Sequence, residues 1–98
     1  MTRDLVSVII VNYQKYEYLR QCLISVNSSC YSNLEIIVVD NESNNLELES
    51  FRNEFKHVKF YAMKDNLNYA EGNNFGIKQS SGEFVVILNN DTVVEKQW

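Results

Sequence analysis

Three short runs constrain this chain more than anything else in it: Val6 to Val11, Glu35 to Val39 and Phe84 to Leu88 are rich in β-branched residues and almost continuously apolar. A strand with one face in water alternates apolar and polar side chains, so unbroken runs of this length belong to strands buried on both faces, as in a parallel sheet covered by helices. The segments between them have the complementary pattern. From Tyr16 to Val26 the residues Leu19, Leu23 and Val26 fall at helical spacing, and Asn27, Ser28 and Ser29 end the pattern. Leu48, Phe51 and Phe55 repeat the spacing, and a helix from Tyr69 or Ala70 to about Gln79 precedes Ser80-Ser81-Gly82, with Gly82 suited to a left-handed C-terminal position. Val58 to Ala62 alternates like a less buried strand, and Met63 to Asn68 is a polar loop. The succession is βαβαβαβ. Right-handed crossovers then give a three-layer, Rossmann-like α/β fold, its parallel sheet in the order 3-2-1-4.

At 98 residues, with no proline, linker, repeat or break in composition, this is one small domain or one piece of one. A hydrophobic fraction of 45% is that of a globular chain. The net charge of −4 and the absence of a Lys/Arg cluster argue against nucleic-acid binding, which needs a concentrated basic face. No apolar run reaches membrane-spanning length and no signal pattern opens the chain, which points to the cytoplasm, including the inner face of the membrane. Cys22 and Cys30 are too far apart for a CxxC motif and lack neighbouring ligands, so both are expected to be reduced structural thiols. His57, near the end of the second helix, is given no catalytic role, and the tyrosines other than Tyr13 are expected to serve packing.

In open parallel sheets, ligands bind beyond the carboxyl ends of the strands, where the strand order reverses. Those ends carry Asn12 and Tyr13, then Asp40, Asn41, Glu42 and Ser43, then Asn89, Asn90 and Asp91, and the segment from Asp65 to Gly76 can close over them. Asp40 occupies the position of the ribose-binding acid of dinucleotide-binding proteins, but the first turn, Asn12 to Tyr16, lacks the glycines that admit a pyrophosphate. A phosphoacceptor receiver is excluded as well, since it requires acidic residues after the first strand.

Four segments, Val6 to Tyr13, Glu35 to Ser43, Asn66 to Ile77 and Leu88 to Thr92, together resemble four successive motifs of family-2 glycosyltransferases, in the family's order and spacing and with the flavour of its rhamnosyltransferase-like branch. The resemblance implies the N-terminal half of a GT-A fold. It also implies a nucleoside-diphosphate-sugar donor, transfer with inversion to an acceptor hydroxyl on a glycan or lipid-linked glycan, and a divalent metal, Mg²⁺ or Mn²⁺. On the matching positions it implies that Val11, Asn12, Tyr13, Asp40, Asn41, Asn73, Asn89 and Asn90 bind the nucleotide sugar, with Asp40 accepting from a ring N–H of a pyrimidine, and that Asp91 binds the metal. Three positions depart from the pattern. Asn89 stands where the family often has aspartate, Asn73 where many relatives have arginine, and Asn68 where glycine is usual, for which asparagine is the next-best residue at positive φ. The resemblance further implies that residues 1–98 form the donor portion alone, with the catalytic base in a C-terminal half. An open edge on the fourth strand would then favour self-association. The alternative is a nucleotide-binding or interaction module that never catalyses.

Overall fold

A computed structural model of the chain describes residues 4–29 and 31–94. Cys30, expected to be a reduced thiol, lies outside the described residues. The elements are β1 (Val6–Tyr13), α1 (Tyr16–Asn27), β2 (Leu34–Asn41), α2 (Asn45–Glu54), β3 (Lys59–Ala62), α3 (Tyr69–Gln79) and β4 (Phe84–Asn89). All strand pairs are parallel and the sheet order is β3-β2-β1-β4, as the alternation of apolar runs and helical spacing requires, but β4, expected to be buried on both faces, has no buried residue because it lies at the sheet edge, where nothing among the described residues pairs with its outer side.

The register decides which side chains share a face. Val8 lies beside Ile36 and Ile10 beside Val38, and these four pack against Leu19, Leu23 and Val26 of α1 and Leu48 and Phe51 of α2. Ile9, Ile37 and Val39 point the opposite way, toward Phe75 of α3. Two helices on one face and one on the other make the three layers. Arg20 of α1 pairs with Glu54 of α2 and also covers the Phe51 ring, which joins the two helices on their shared side. No helix among the described residues is long and apolar enough to cross a membrane.

Helix α3 approaches the sheet closely. A Cβ built on Gly76 would stand 2.5 Å from Cγ2 of Ile9, a wholly buried and β-branched neighbour with little room to yield. Gly82 serves close approach too, and not the left-handed conformation its place after a helix suggested: among the described residues no glycine has positive φ. Its missing side chain leaves room for Ser7, whose Oγ would lie 2.5 Å and whose backbone N 2.7 Å from a Cβ.

Ser7 belongs to a polar cluster at the amino-terminal edge of the sheet. The Glu35 carboxylate, nearly buried, accepts from Ser7 Oγ, Lys59 Nζ and the backbone N–H of Ser81, each at 2.7 Å, while Gly82 N–H donates to Ser7 Oγ at 2.9 Å. Four segments distant in sequence therefore meet on one acid. Burial by itself would raise the pKa of Glu35, but the Lys59, Ser81 and Ser7 donors outweigh it and hold the carboxyl below its ordinary value. A carboxyl with a depressed folded-state pKa contributes stability above its unfolded value, and that contribution is lost as pH falls through the folded value. Glu35→Gln is accordingly expected to lower the unfolding free energy by about 1–2 kcal/mol at neutral pH, a discounted figure because the Lys59 end is exposed. Urea titrations should show the difference between variant and parent shrinking toward pH 3, and a difference independent of pH would contradict the assignment.

Candidate functional site

The carboxyl ends of β1, β2 and β4 and the start of α3 enclose a cleft of about 520 Å³. It lies at the edge where strand order reverses between β1 and β4, the place where parallel sheets offer ligands the backbone groups and turns that follow the strands. Of the nine residues expected to touch ligand or metal, Val11, Tyr13, Asn41, Asn89, Asn90 and Asp91 line it. Asn12, Asp40 and Asn73 do not line it.

The period of a strand explains the division. Val11, Tyr13 and Asn41 project on the α3 side together with Ile9, Ile37 and Val39, and the cleft opens on that side. Asn12 and Asp40, adjacent across the β1–β2 register, continue the opposite row of Ile10 and Val38 and turn toward α1 and α2. Asp40 is wholly buried. Its Oδ1 accepts from Asn12 Nδ2 at 2.9 Å, and its Oδ2 accepts from Tyr16 Oη and Ser43 Oγ, both at 2.7 Å. What keeps this carboxylate from the cleft is its burial on the opposite face of the sheet. Asn41, one residue on, faces the cleft side. It lines the cleft, its Nδ2 donates to the Leu67 carbonyl at 2.9 Å, and its buried Oδ1 accepts nothing from the described residues.

The buried network continues on both sides of Asp40. Tyr16 Oη accepts from the Asn44 backbone N–H at 3.0 Å, and Asn12 Oδ1 accepts from Asn90 Nδ2 at 2.9 Å. Burial, reinforced by the Asp40 carboxylate, pushes the Tyr16 hydroxyl up to about 12, so it remains a donor throughout the physiological range. Asn44 also caps α2, its side chain accepting from the backbone N–H groups of Leu46 and Glu47.

Two features of this edge carry no clear signal in the sequence. The chain leaves β1 through Gln14 and β2 through Glu42 at φ 58° and 46°, left-handed positions filled by residues without glycine's freedom. Asn68, placed by its family position at a positive φ, has φ −67° and serves as the N-cap of α3. Its side chain accepts from the Glu71 N–H while Glu71 reaches back to the Asn68 N–H, a capping box whose Asn-x-x-Glu spacing is present in the sequence. This box orients Tyr69, whose hydroxyl donates to Asn89 Oδ1 at 2.9 Å across the cleft. Lys15, Asn66, Leu67, Asn68 and Tyr69 also line the cleft, beyond the residues expected to bind ligand or metal. Asn73 lies in the buried face of α3, with an Oδ1 that accepts nothing from the described residues.

Among the described residues, Asp91 is the only carboxylate lining the cleft and Lys15 the only cationic side chain. The described residues contain no group of three His, Cys, Asp or Glu side chains able to hold a metal by themselves. One exposed carboxylate beside Asn89 and Asn90 fits a hard cation that takes its remaining ligands from water and from a bound diphosphate, the usual manner of Mg²⁺. Below this loop, buried Cys22 donates weakly to the Asn89 carbonyl at 3.8 Å, and burial followed by the Asp91 charge raises its thiol to about 11. Cys22 is free, as its isolation in the sequence indicated.

The profile of the family described as Glycosyl transferase family 2 matches residues 7–98. Glycosyltransferase GlyA of Streptococcus pneumoniae is 30% identical over 97 residues, which are 97% of this chain and 14% of that protein. Among solved structures, S. aureus TarS 1-349 in complex with UDP superposes with a TM-score of 0.80 at 26% identity, over 95% of this chain and 29% of that one. A mannosyltransferase from Pyrobaculum calidifontis, in complex with GDP-Man and Mn²⁺, has the same fold, with a TM-score of 0.80 at 21% identity, over 93% of this chain and 28% of that one. The chain thus spans less than a third of the length of each of these three proteins.

Proposed function

Because the chain belongs to glycosyltransferase family 2 and carries the parallel sheet of a GT-A fold, we propose that its cleft holds the nucleoside-diphosphate-sugar donor of an inverting glycosyl transfer. The observation that carries this reading is the convergence on one sheet edge of what are, among the described residues, a lone carboxylate, a lone cation and an unpaired amide carbonyl, all beside the exposed ring of Tyr13. The acceptor-only carbonyl of Asn41 suits a ring N–H of uracil or thymine. Tyr13 offers an aromatic face to the base, Val11 closes the apolar side, and the amides of Asn89 and Asn90 suit sugar hydroxyls. Lys15 attracts the diphosphate, and Asp91 with its asparagine neighbours would hold Mg²⁺ or Mn²⁺, which neutralises the departing diphosphate when bound.

In the transfer, an acceptor hydroxyl oxygen attacks the anomeric carbon from the side opposite the diphosphate. The carbon–oxygen bond to the diphosphate breaks, and the nucleoside diphosphate leaves with the electron pair. The hydroxyl proton must pass to a base, and the cleft offers no second carboxylate among the described residues. The base and the acceptor site, for a glycan or lipid-linked glycan, are therefore assigned outside this cleft, with residues 1–98 as the donor portion. The same single carboxylate supports a second reading, a nucleotide-binding module without catalysis.

Thermal unfolding with UDP, dTDP and CDP, each with and without Mn²⁺, tests the donor site, since a ligand selective for the folded state raises its stability. UDP or dTDP should raise the melting temperature most when Mn²⁺ is present. CDP should have little effect, because its ring N3 presents a lone pair to the Asn41 carbonyl. Equal shifts from all three nucleotides would contradict the Asn41 assignment, and no shift from any of them would contradict the donor site. Sugar transfer by the intact protein separates the enzyme from the non-catalytic module.

The outer edge of β4 supports self-association. Among the described residues nothing pairs with that edge, and Phe84, Val85 and Ile87 are 57%, 39% and 45% exposed. Such an edge templates pairing with another strand. Light scattering of residues 1–98 at micromolar concentration is expected to show a dimer or larger species, and a stable monomer would refute this.

A further inference from the structure

We infer that Asp40 is a positioning residue that sets the hydrogen-bonding polarity of Asn90 in the cleft, acting through the buried amide of Asn12. The inference rests on the donor-cleft reading above. An asparagine side chain looks nearly the same to a packing neighbour in either of its two flipped states, yet it offers a ligand a donor in one and an acceptor in the other. Something must choose between them. Here the choice propagates from groups that have no alternative.

The backbone N–H of Asn44 can only donate, and it donates to Tyr16 Oη, which leaves the Tyr16 hydrogen to point at Asp40 Oδ2. Ser43 Oγ donates to the same oxygen. Asp40 is thus the acceptor at the centre of the network, and Oδ1 faces Asn12 with nothing to donate. Asn12 must turn its Nδ2 to Asp40 and hence its Oδ1 to Asn90. Asn90 in turn must spend an amide hydrogen on Asn12, which leaves its own carbonyl oxygen as the acceptor it offers to the cleft it lines. Both Asn12 and Asp40 are wholly buried, so water is not at hand to correct a wrong orientation. The carboxylate therefore reaches the ligand without touching it. Through Asn12 it makes Asn90 an acceptor for a ligand hydroxyl, of which the ribose of a nucleoside diphosphate supplies two.

The relay makes a prediction that a purely structural role for Asp40 does not. Asp40→Asn preserves the shape but brings an amide that can face Asn12 with either end, which releases the choice at Asn12 and Asn90. Affinities of the intact protein for UDP and for 2′,3′-dideoxyuridine diphosphate should be measured by titration calorimetry at constant Mn²⁺, with melting temperatures as the check on folding. The expected result is about a tenfold loss of UDP affinity in Asp40→Asn, the scale of one hydrogen bond made within a protected site, with little change for the dideoxy nucleotide. In an Asn90→Ala background the same substitution should have no further effect, because two residues acting through one link are not additive. If Asp40→Asn does not fold, Asn12→Ala breaks the relay at its middle and carries the same two expectations. Equal losses for both nucleotides, an undiminished effect in the Asn90→Ala background, or no loss at all would overturn the relay alone. Failure of the unaltered protein to bind UDP would instead overturn the donor-cleft reading on which it rests.

Discussion

Asp40→Ala is expected to lower the unfolding free energy by about 3 kcal/mol, because it removes one acceptor and abandons three donors within the fold. Asn12 Nδ2 suffers most, since that side chain is wholly buried and has no water to turn to, whereas Tyr16 and Ser43 are half-buried and can be solvated in part. The loss is large against the roughly 5–15 kcal/mol by which small domains are stable. Chemical denaturation with Asp40→Asn as the partner variant checks it. The asparagine keeps the volume and one acceptor, so it should fall between parent and alanine variant, and an alanine variant within about 0.5 kcal/mol of the parent would show the network to be dispensable.

Asp91→Ala is expected to act in the opposite sense, leaving stability within about 0.5 kcal/mol of the parent while abolishing Mn²⁺-dependent nucleotide binding. Its side chain is exposed, and the turn that holds it is closed by backbone, Thr92 N–H to the Asn89 carbonyl at 3.0 Å. The fold does not depend on this carboxylate. Among the described residues it is the only acid lining the cleft, so none of them can take over as an anionic metal ligand there. Titration of UDP in the presence and absence of Mn²⁺ should show the metal-dependent gain vanish, and an undiminished gain would place the metal elsewhere. The two acids are thus expected to differ in stability: loss of Asp40 unfolds a buried network, whereas loss of Asp91 leaves the fold intact.

How far the sequence reached follows from what each pattern encodes. Apolar runs flanked by helical spacing determine strands, layers and order, and the four strands stand within a few residues of their expected places, although the apolar run of β4 did not reveal that this strand lies exposed at the edge. The position of the site follows from strand order. What the motifs alone leave undecided is which neighbour at a strand end faces the cleft. Asp40 and Asn41 differ by one residue and therefore by the whole thickness of the sheet. In a strand buried on both faces no polar alternation marks the side on which the cleft lies. Only the placement of α3 against Ile9 and Val39 resolves it. Tyr16 was illegible for a related reason: a tyrosine at the start of a helix reads as packing, and its ring does pack on Phe51, yet its hydroxyl holds the buried acid. The left-handed turns at Gln14 and Glu42 were hidden because neither residue type announces that conformation.

The contact between Asn12 and Asn90 joins residues 78 apart in sequence. Parallel pairing of β1 with β4 closes the largest loop in the sheet, and closing it costs more chain entropy than pairing neighbouring segments does. Strands β1 to β3, with α1 and α2, can assemble from neighbouring segments, whereas the wall carrying Asn89, Asn90 and Asp91 is completed only when β4 arrives. The two walls of the cleft are therefore held together by the longest chain closure in the sheet, so a ligand that touches both walls reinforces that closure.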